Sequence, residues 1–393
     1  MRFRKLTGVL LAAVLCVGGW ITAANCVACP FCAGAMMTLS EQYAKADAVT
    51  VVEWQKAREA SEEEKAETTF KLVEVLRDTS KELKAGQVIA IDRYRAGKPG
   101  DRSVLMGTKL EKMEWADPLL VSAQSLDYIR KAPSLDAAPA DRLAYYVQYF
   151  ENEDQTVAND AYAEFANAPY KEILTVTDKL PRDKLRLWVL DPDIPQTRLG
   201  LYGLLLGLSG DETDADRLEQ KIVATSDTEL RLGIDGVMGG YLLLKGEPGL
   251  AVIEKTKFTD PKTPFSETYA GMQALRFMWQ YGNGRISKER LKQSMRLLLD
   301  RPELADLVIT DLSRWKDWSV QDRLRALYGV EGYNVPSVKR AIVRFLFACS
   351  KDLTPTTDKN ASVPEHVKKA KKHIEDLRKI EPRLVDDVER FLY

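Results

Sequence analysis

The chain has 393 residues, 45% of them hydrophobic and 29% charged, with a formal net charge of -1. That length exceeds what one hydrophobic core normally serves, and the composition is too apolar for a disordered chain, so a folded multidomain protein is expected. The near-neutral balance provides no basic face for phosphates, which disfavours nucleic acid as a partner.

At the N-terminus, Arg2, Arg4 and Lys5 precede an apolar run from Leu6 to about Ile21, followed by the small residues Ala23, Ala24 and Ala28. This is the order of a secretory signal peptide, assigned here to residues 1–28, and it implies a secreted or periplasmic protein. The run is also about long enough to span a bilayer, so anchoring through an uncleaved segment is the alternative. No later segment reaches spanning length, and no membrane span is expected once the signal is cleaved. Cleavage after Ala28 leaves Cys29, Pro30, Phe31 and Cys32 at the mature terminus, whereas cleavage after Ala24 retains Cys26 as well.

Between Ala48 and about Leu126 the pattern is strand-like. Ala48–Trp54, Thr68–Leu76, Gln87–Tyr94, Val104–Leu110 and Pro118–Ser122 are short apolar segments parted by charged or glycine-bearing turns, which predicts a small antiparallel sheet or barrel over residues 29–131. The Glu- and Lys-rich stretch Lys56–Glu67 reads as a short helix or a solvated hairpin loop. Near Lys131, Pro133 and Pro139 mark a linker, and beyond it the hydrophobic period lengthens to about 3.6 residues. Helices are predicted over Asp141–Phe150, Val157–Ala166, Arg182–Val189, Pro195–Leu208, Ala215–Ala224 and Thr228–Leu244. Further ones are predicted over Phe265–Tyr281, Lys288–Leu299, Pro302–Arg314, Val320–Tyr328 and Pro336–Ser350, with a C-terminal helix within 363–393. Ser226–Glu229 and Ser319–Asp322 have capping-box spacing, Ser287 is placed to cap, and Pro336 suits a first helical turn.

The stretches Asp191–Ser209 (DPDIPQTRLGLYGLLLGLS) and Asn334–Cys349 (NVPSVKRAIVRFLFAC) resemble the second helices of HEAT-type repeats, which implies a HEAT-like α-solenoid over 138–353. The front segment, with a cysteine motif after the signal and then ADAVTVVE at Ala46–Glu53 and TTFKLVEV at Thr68–Val75, resembles a netrin-like or metalloproteinase-inhibitor OB barrel. The expected fold class is therefore α+β multidomain, an OB/netrin-like barrel followed by a helical solenoid. The whole layout also resembles uncharacterised exported bacterial proteins with a CPFC segment after the signal, a resemblance that implies no activity.

Candidate functional residues are few. Cys29 and Cys32 form a CxxC pair suited to a disulfide or to redox exchange. Thioredoxin-like enzymes place that motif after a strand, and here none precedes it, which favours a structural or terminal disulfide. Ala33 stands where haem attachment requires histidine. Cys26, Cys29 and Cys32 are weak metal candidates, since they supply at most three of the usual four ligands, and Cys349 falls in line with Ile342, Phe345 and Leu346 as a core residue. His366 and His373, seven residues apart on a predicted helix, lie about 10 Å apart and cannot share one ion. Trp315 and Trp318 flank a predicted interhelix turn and are weak candidates for a contact patch, with packing at the turn the plainer reading. Glu62–Glu64, Asp191 with Asp193 and Asp386 with Asp387 fit turns or helix surfaces. No nucleotide motif and no catalytic motif is present, and no cofactor is expected. The resulting expectation is an exported noncatalytic binding or scaffold protein that uses a helical-repeat surface to recognise a protein or ligand. The alternatives are a thiol–disulfide or metal-handling protein centred on CPFC, and a metalloproteinase-inhibitor-like module.

Overall fold

The computed structural model describes residues 29–32, 36–224, 230–353 and 362–391. The signal segment 1–28, with Cys16 and Cys26, and the capping box at Ser226–Glu229 lie outside the described residues.

A short helix, α1 (Leu39–Lys45), leads into strands β1 (Ala48–Arg58), β2 (Glu67–Asp78), β3 (Val88–Ile91), β4 (Arg102–Lys109), β5 (Met113–Trp115) and β6 (Leu119–Leu120). The strands form one antiparallel sheet in the order β3-β2-β1-β4-β5, with β6 also paired to β4. Period-two alternation sorts its side chains. Val49, Val51 and Val104 face the helices, while Val52, Leu105, Phe70 and Leu72 build a second small core on the opposite face with Ile89 and Ile91. The stretch Lys56–Glu67 extends β1 and turns into β2.

The expected OB/netrin-like barrel is not formed. The outer strands β3 and β5 do not pair with each other, so the sheet is open. They are four and three residues long, too short to carry the stagger and tilt that close a barrel. Side chains join the two edges instead. The Arg93 guanidinium donates to the Trp115 carbonyl, and Arg93 and Arg95 reach Asp117 at 3.1 and 2.6 Å.

Helices follow as α2 (Ala123–Lys131), α3 (Pro139–Tyr146), α4 (Gln155–Asn167), α5 (Tyr170–Ile173), α6 (Arg182–Leu190), α7 (Gln196–Ser209), α8 (Glu212–Val223) and α9 (Ile234–Lys245). Beyond them come α10 (Glu247–Ile253), α11 (Phe265–Tyr281), α12 (Lys288–Leu297), α13 (Ala305–Arg314), α14 (Gln321–Leu327), α15 (Pro336–Ser350), α16 (Glu365–Ile380) and α17 (Pro382–Arg390). Ser287 caps α12 by accepting from the Arg290 amide, and Pro336 opens α15. Ser319 lies inside a 3-10 turn and bonds Asp317 instead of capping. The C-terminal segment is two helices, parted before Pro382 because proline cannot donate in a helix interior.

The solenoid expectation is likewise corrected. Alternate helices do touch, α7 with α9 and α13 with α15, but neither lengths nor contacts recur as repeats require. The backbones of α7 and α9 meet through glycines: a Cβ on Gly240 would fall 2.0 Å from the Gly203 carbonyl oxygen, and one on Gly236 would fall 2.1 Å from that of Gly200. By contrast α11 and α13 are joined by stacked Trp279 and Trp315 and by Arg276 to Asp311. The intervening α8 has 12 residues, whereas α10 has seven and runs into a π turn at Glu254–Phe258.

One hydrophobic core runs from Val49 and Val51 of the sheet through Tyr128, Tyr146, Leu205 and Phe345 to Val388 of α17. Arginine–carboxylate pairs lace its margins. Arg186 and Arg182 hold the wholly buried Asp214, Arg231 and Lys257 share Glu267, Arg290 holds Glu254, and Arg296 holds Asp317. Among the described residues, no helix is long and apolar enough to cross a membrane.

Candidate functional site

Cys29 and Cys32 are joined as a disulfide, and the four-residue ring they close is seated in the helical body. Cys29 is only 6% exposed and its amide donates to the Ala166 carbonyl at the end of α4 (3.1 Å). Phe31, 7% exposed, enters a slot cleared of side chains. A Cβ on Gly239 would lie 2.6 Å from its ring and one on Gly200 would lie 2.5 Å from its carbonyl oxygen, while its ring centroid is 4.8 Å from that of Phe277. Glycine is unfavourable inside helices. At Gly200 and Gly239 it is explained by this close approach, and at Gly203, Gly207, Gly236 and Gly240 by the contact of α7 with α9.

Helix α1 has no fully buried side chain, and its Leu39 and Tyr43 are half-buried against the core. A capping box closes its first turn, Thr38 accepting from the Glu41 amide and Glu41 from the Thr38 amide at 2.9 Å. What fixes α1 in place is a pair of carboxylates on α4. Asp160 and Glu164 stand one helical turn apart on one face and are 8% and 3% exposed. Asp160 accepts from the Leu39 amide (2.6 Å) and from the Tyr128 hydroxyl (2.6 Å). Glu164 accepts from the Ser40 hydroxyl and from Arg142 (2.7 Å). Tyr43 ties the far end, donating to the Leu76 carbonyl of β2 (2.8 Å). Tyr128 is itself fixed by a cluster of rings from Tyr145, Tyr146 and Tyr149. Burial pushes the Asp160 carboxyl up to about 6 against the opposing pull of those two donors, and burial beside Asp160 raises the Tyr128 hydroxyl far above its usual range.

Two cavities adjoin this cluster, and α1 contributes to both. The smaller, about 250 Å³, is lined by Thr38, Glu41, Arg142, Glu164, Asn167 and Glu172 among others. The larger, about 480 Å³, lies between α1, the end of β2 and the connection from α2 to α3. Its walls combine Leu39, Tyr43, Leu76, Ile129 and Leu135 with Arg77, Arg130 and, in its floor, Asp160. Arg130 is paired with Glu74. Arg77 donates through Nε to the Ala46 carbonyl (2.8 Å), and its two terminal nitrogens have no hydrogen bond or ion pair among the described residues.

The other sequence candidates are dispersed. Trp315, 7% exposed, stacks on Trp279 with centroids 4.3 Å apart, whereas Trp318 packs edge-on against Phe345 and donates to Asp352. The two indoles serve separate contacts and form no joint patch. His373 lies 2.9 Å from Asp322 and His366 stacks over Trp318, so both brace α16 against the preceding helices. Cys349 is a buried free thiol whose pKa burial raises to about 12. Glu64 pairs with Arg58 on the hairpin, Asp191 accepts from the Asp193 amide in a turn, and Asp386 pairs with Arg378. No grouping of three or more His, Cys, Asp or Glu suited to a metal ion occurs among the described residues.

Sequence reasoning missed α1, Asp160, Glu164 and the cavities. The signal that could have found the carboxylates is the segment Ala161–Ala166 (AYAEFA), apolar on every side but for Glu164. A charge in such a helix must be buried and paired.

No protein-family model matches this sequence, and no curated protein matches it. The resemblances to HEAT repeats, to netrin-like domains and to exported CPFC proteins therefore find no support, and the open sheet separately removes the OB assignment.

Proposed function

We propose that this is an exported, noncatalytic binding protein that holds a small molecule in the 480 Å³ cavity between α1, β2 and the α2–α3 connection. The observation carrying this reading is the lining of that cavity. Apolar walls with a few convergent polar groups, at a volume within the usual range, are the ordinary composition of a ligand site. The surrounding geometry suits binding more than chemistry: both oxygens of Asp160 are engaged as acceptors by fixed donors, and Glu164 is held by Ser40 and Arg142.

The cystine supports the same reading as an anchor. Thiol–disulfide exchange calls for an attackable sulfur beside groups that stabilise a thiolate. Cys29 is instead buried beside α4, and Phe31 within the ring is packed into the core.

The test is native mass spectrometry of the exported protein together with Nile red binding, on wild type and on Ala44→Trp. Ala44 is exposed on α1 and lines the cavity, so tryptophan there fills the space without entering the core. A bound mass or saturable dye binding that is lost in the variant is the expected result. Dye binding unchanged by Ala44→Trp, with no bound mass, would overturn the reading.

A further inference from the structure

Resting on that reading, we infer that the cavity selects an amphipathic organic carboxylate, its head on the terminal nitrogens of Arg77 and its apolar body along Leu39, Tyr43, Leu76 and Ile129.

The charges around the cavity single out Arg77. Arg130 already has Glu74 as counterion. Asp136 sits exposed at the rim, where water screens it. Asp160 already accepts from the Leu39 amide and the Tyr128 hydroxyl, one on each oxygen, and its burial disfavours the charged form, which makes it a poor partner for a ligand cation. Arg77 is half-buried, and its Nε bond to the Ala46 carbonyl fixes the plane of the guanidinium. The end bearing Nη1 and Nη2 remains, two parallel N–H groups that match the two oxygens of a carboxylate. A guanidinium oriented in advance loses little freedom on binding, and its charge is worth more beside apolar walls than in open water.

Tyr43 closes the arrangement. Its ring lines the cavity while its hydroxyl is spent on the Leu76 carbonyl, so it offers the ligand an apolar face. Leu39, Leu76 and Ile129 continue that surface. A head-and-tail molecule therefore satisfies both halves of the lining, whereas a small polar anion satisfies one.

The test is calorimetric titration of the full exported chain with dodecanoate, dodecanol and dodecylammonium below their aggregation limits, at a pH where the acid is ionised. Dodecanoate is expected to bind at least about tenfold more tightly than dodecanol, the scale of one charge-assisted hydrogen-bond pair. Dodecylammonium should be weakest. Arg77→Gln should bring dodecanoate to within about twofold of dodecanol measured on the same variant, while Arg77→Lys should restore part of the preference. If Arg77→Gln fails to fold, the wild-type ratio and Arg77→Lys still decide. Equal binding of acid and alcohol, or an acid preference untouched in Arg77→Gln, would overturn the carboxylate assignment and leave the cavity reading standing. No binding of any of the three, with Ala44→Trp inert, would overturn the cavity reading itself.

Discussion

At the scale of single residues, Phe31 and the cystine around it make separable contributions. The ring that the disulfide closes is short, so the chain-entropy argument gives it only about 2 kcal/mol. Removing the Phe31 side chain empties a slot between Gly239 and Phe277, at an expected cost of about 3–5 kcal/mol. Phe31→Ala should therefore lower unfolding free energy in denaturant titrations more than the double change Cys29→Ser and Cys32→Ser. The reverse order would mean that the bond, and not the ring it presents, holds the terminus down. Asp160 makes a prediction of opposite character. Its carboxyl is raised from 3.8 to about 6, so between about pH 4 and about pH 6 the native state holds a proton that the unfolded chain has released. Stability from this group consequently falls as pH rises through that window. Unfolding measured across it should show a less negative, or more positive, slope for Asp160→Asn than for wild type, and superimposable profiles would refute the assignment. Asp214, Glu254, Glu267 and Asp317 act with the other sign. Burial raises their carboxyl pKa values, but bonds from arginines together with those from Lys257, Ser294, Ser319 and the Asp211 amide outweigh it, so that stability is present above the usual carboxylate range and lost as pH falls below it.

Between elements, two devices hold helices together, and each has its own failure. The α7–α9 contact is backbone on backbone, so a methyl group has nowhere to go. Gly240→Ala would place Cβ 2.0 Å from the Gly203 carbonyl and should cost about 3 kcal/mol, the upper end for overpacking, because a carbonyl cannot swing aside as a side chain can. A stability change below about 1 kcal/mol in the same assay would show that the helices separate freely. The second device is the buried carboxylate held by arginine. Asp214 accepts from Arg186 Nε (2.6 Å), Arg182 Nε (2.9 Å) and the Asp211 amide (3.0 Å). Asp214→Ala removes the buried acceptor and the N3 half of the α8 capping box and leaves Arg182 and Arg186 with Asp211 and Asp183 alone, and should cost about 2 kcal/mol. Since the pair joins α6 to α8, hydrogen exchange in the variant should rise first in those helices.

For the whole molecule, local signals and long-range placement separate cleanly. The strands β1, β2 and β4 and helices such as α11 and α15 were legible because alternation and 3.6-residue periodicity report which face of an element is buried. Capping by Ser287 and the start at Pro336 were legible for the same local reason. Helix α1 was not, since none of its seven residues is fully buried and it is held by groups more than a hundred positions away, Asp160 and Glu164. Barrel closure was misjudged because the same alternation serves an open sheet and a closed one. Only the pairing of edge strands distinguishes them, and β3 and β5 do not pair. Regular repetition of the helices was misjudged because a small-and-leucine stripe reads alike whether it meets a recurring neighbour or, as at Gly200 and Gly239, an inserted phenylalanine. By itself the sequence determined the order of strands before helices and the faces that go inward, both properties of residues near one another along the chain. The tertiary structure alone decided that the sheet stays open, that Phe31 is seated among helix glycines, and that Arg77 and Asp160 meet at one cavity. Those outcomes depend on distances between segments far apart in sequence, which periodicity does not encode.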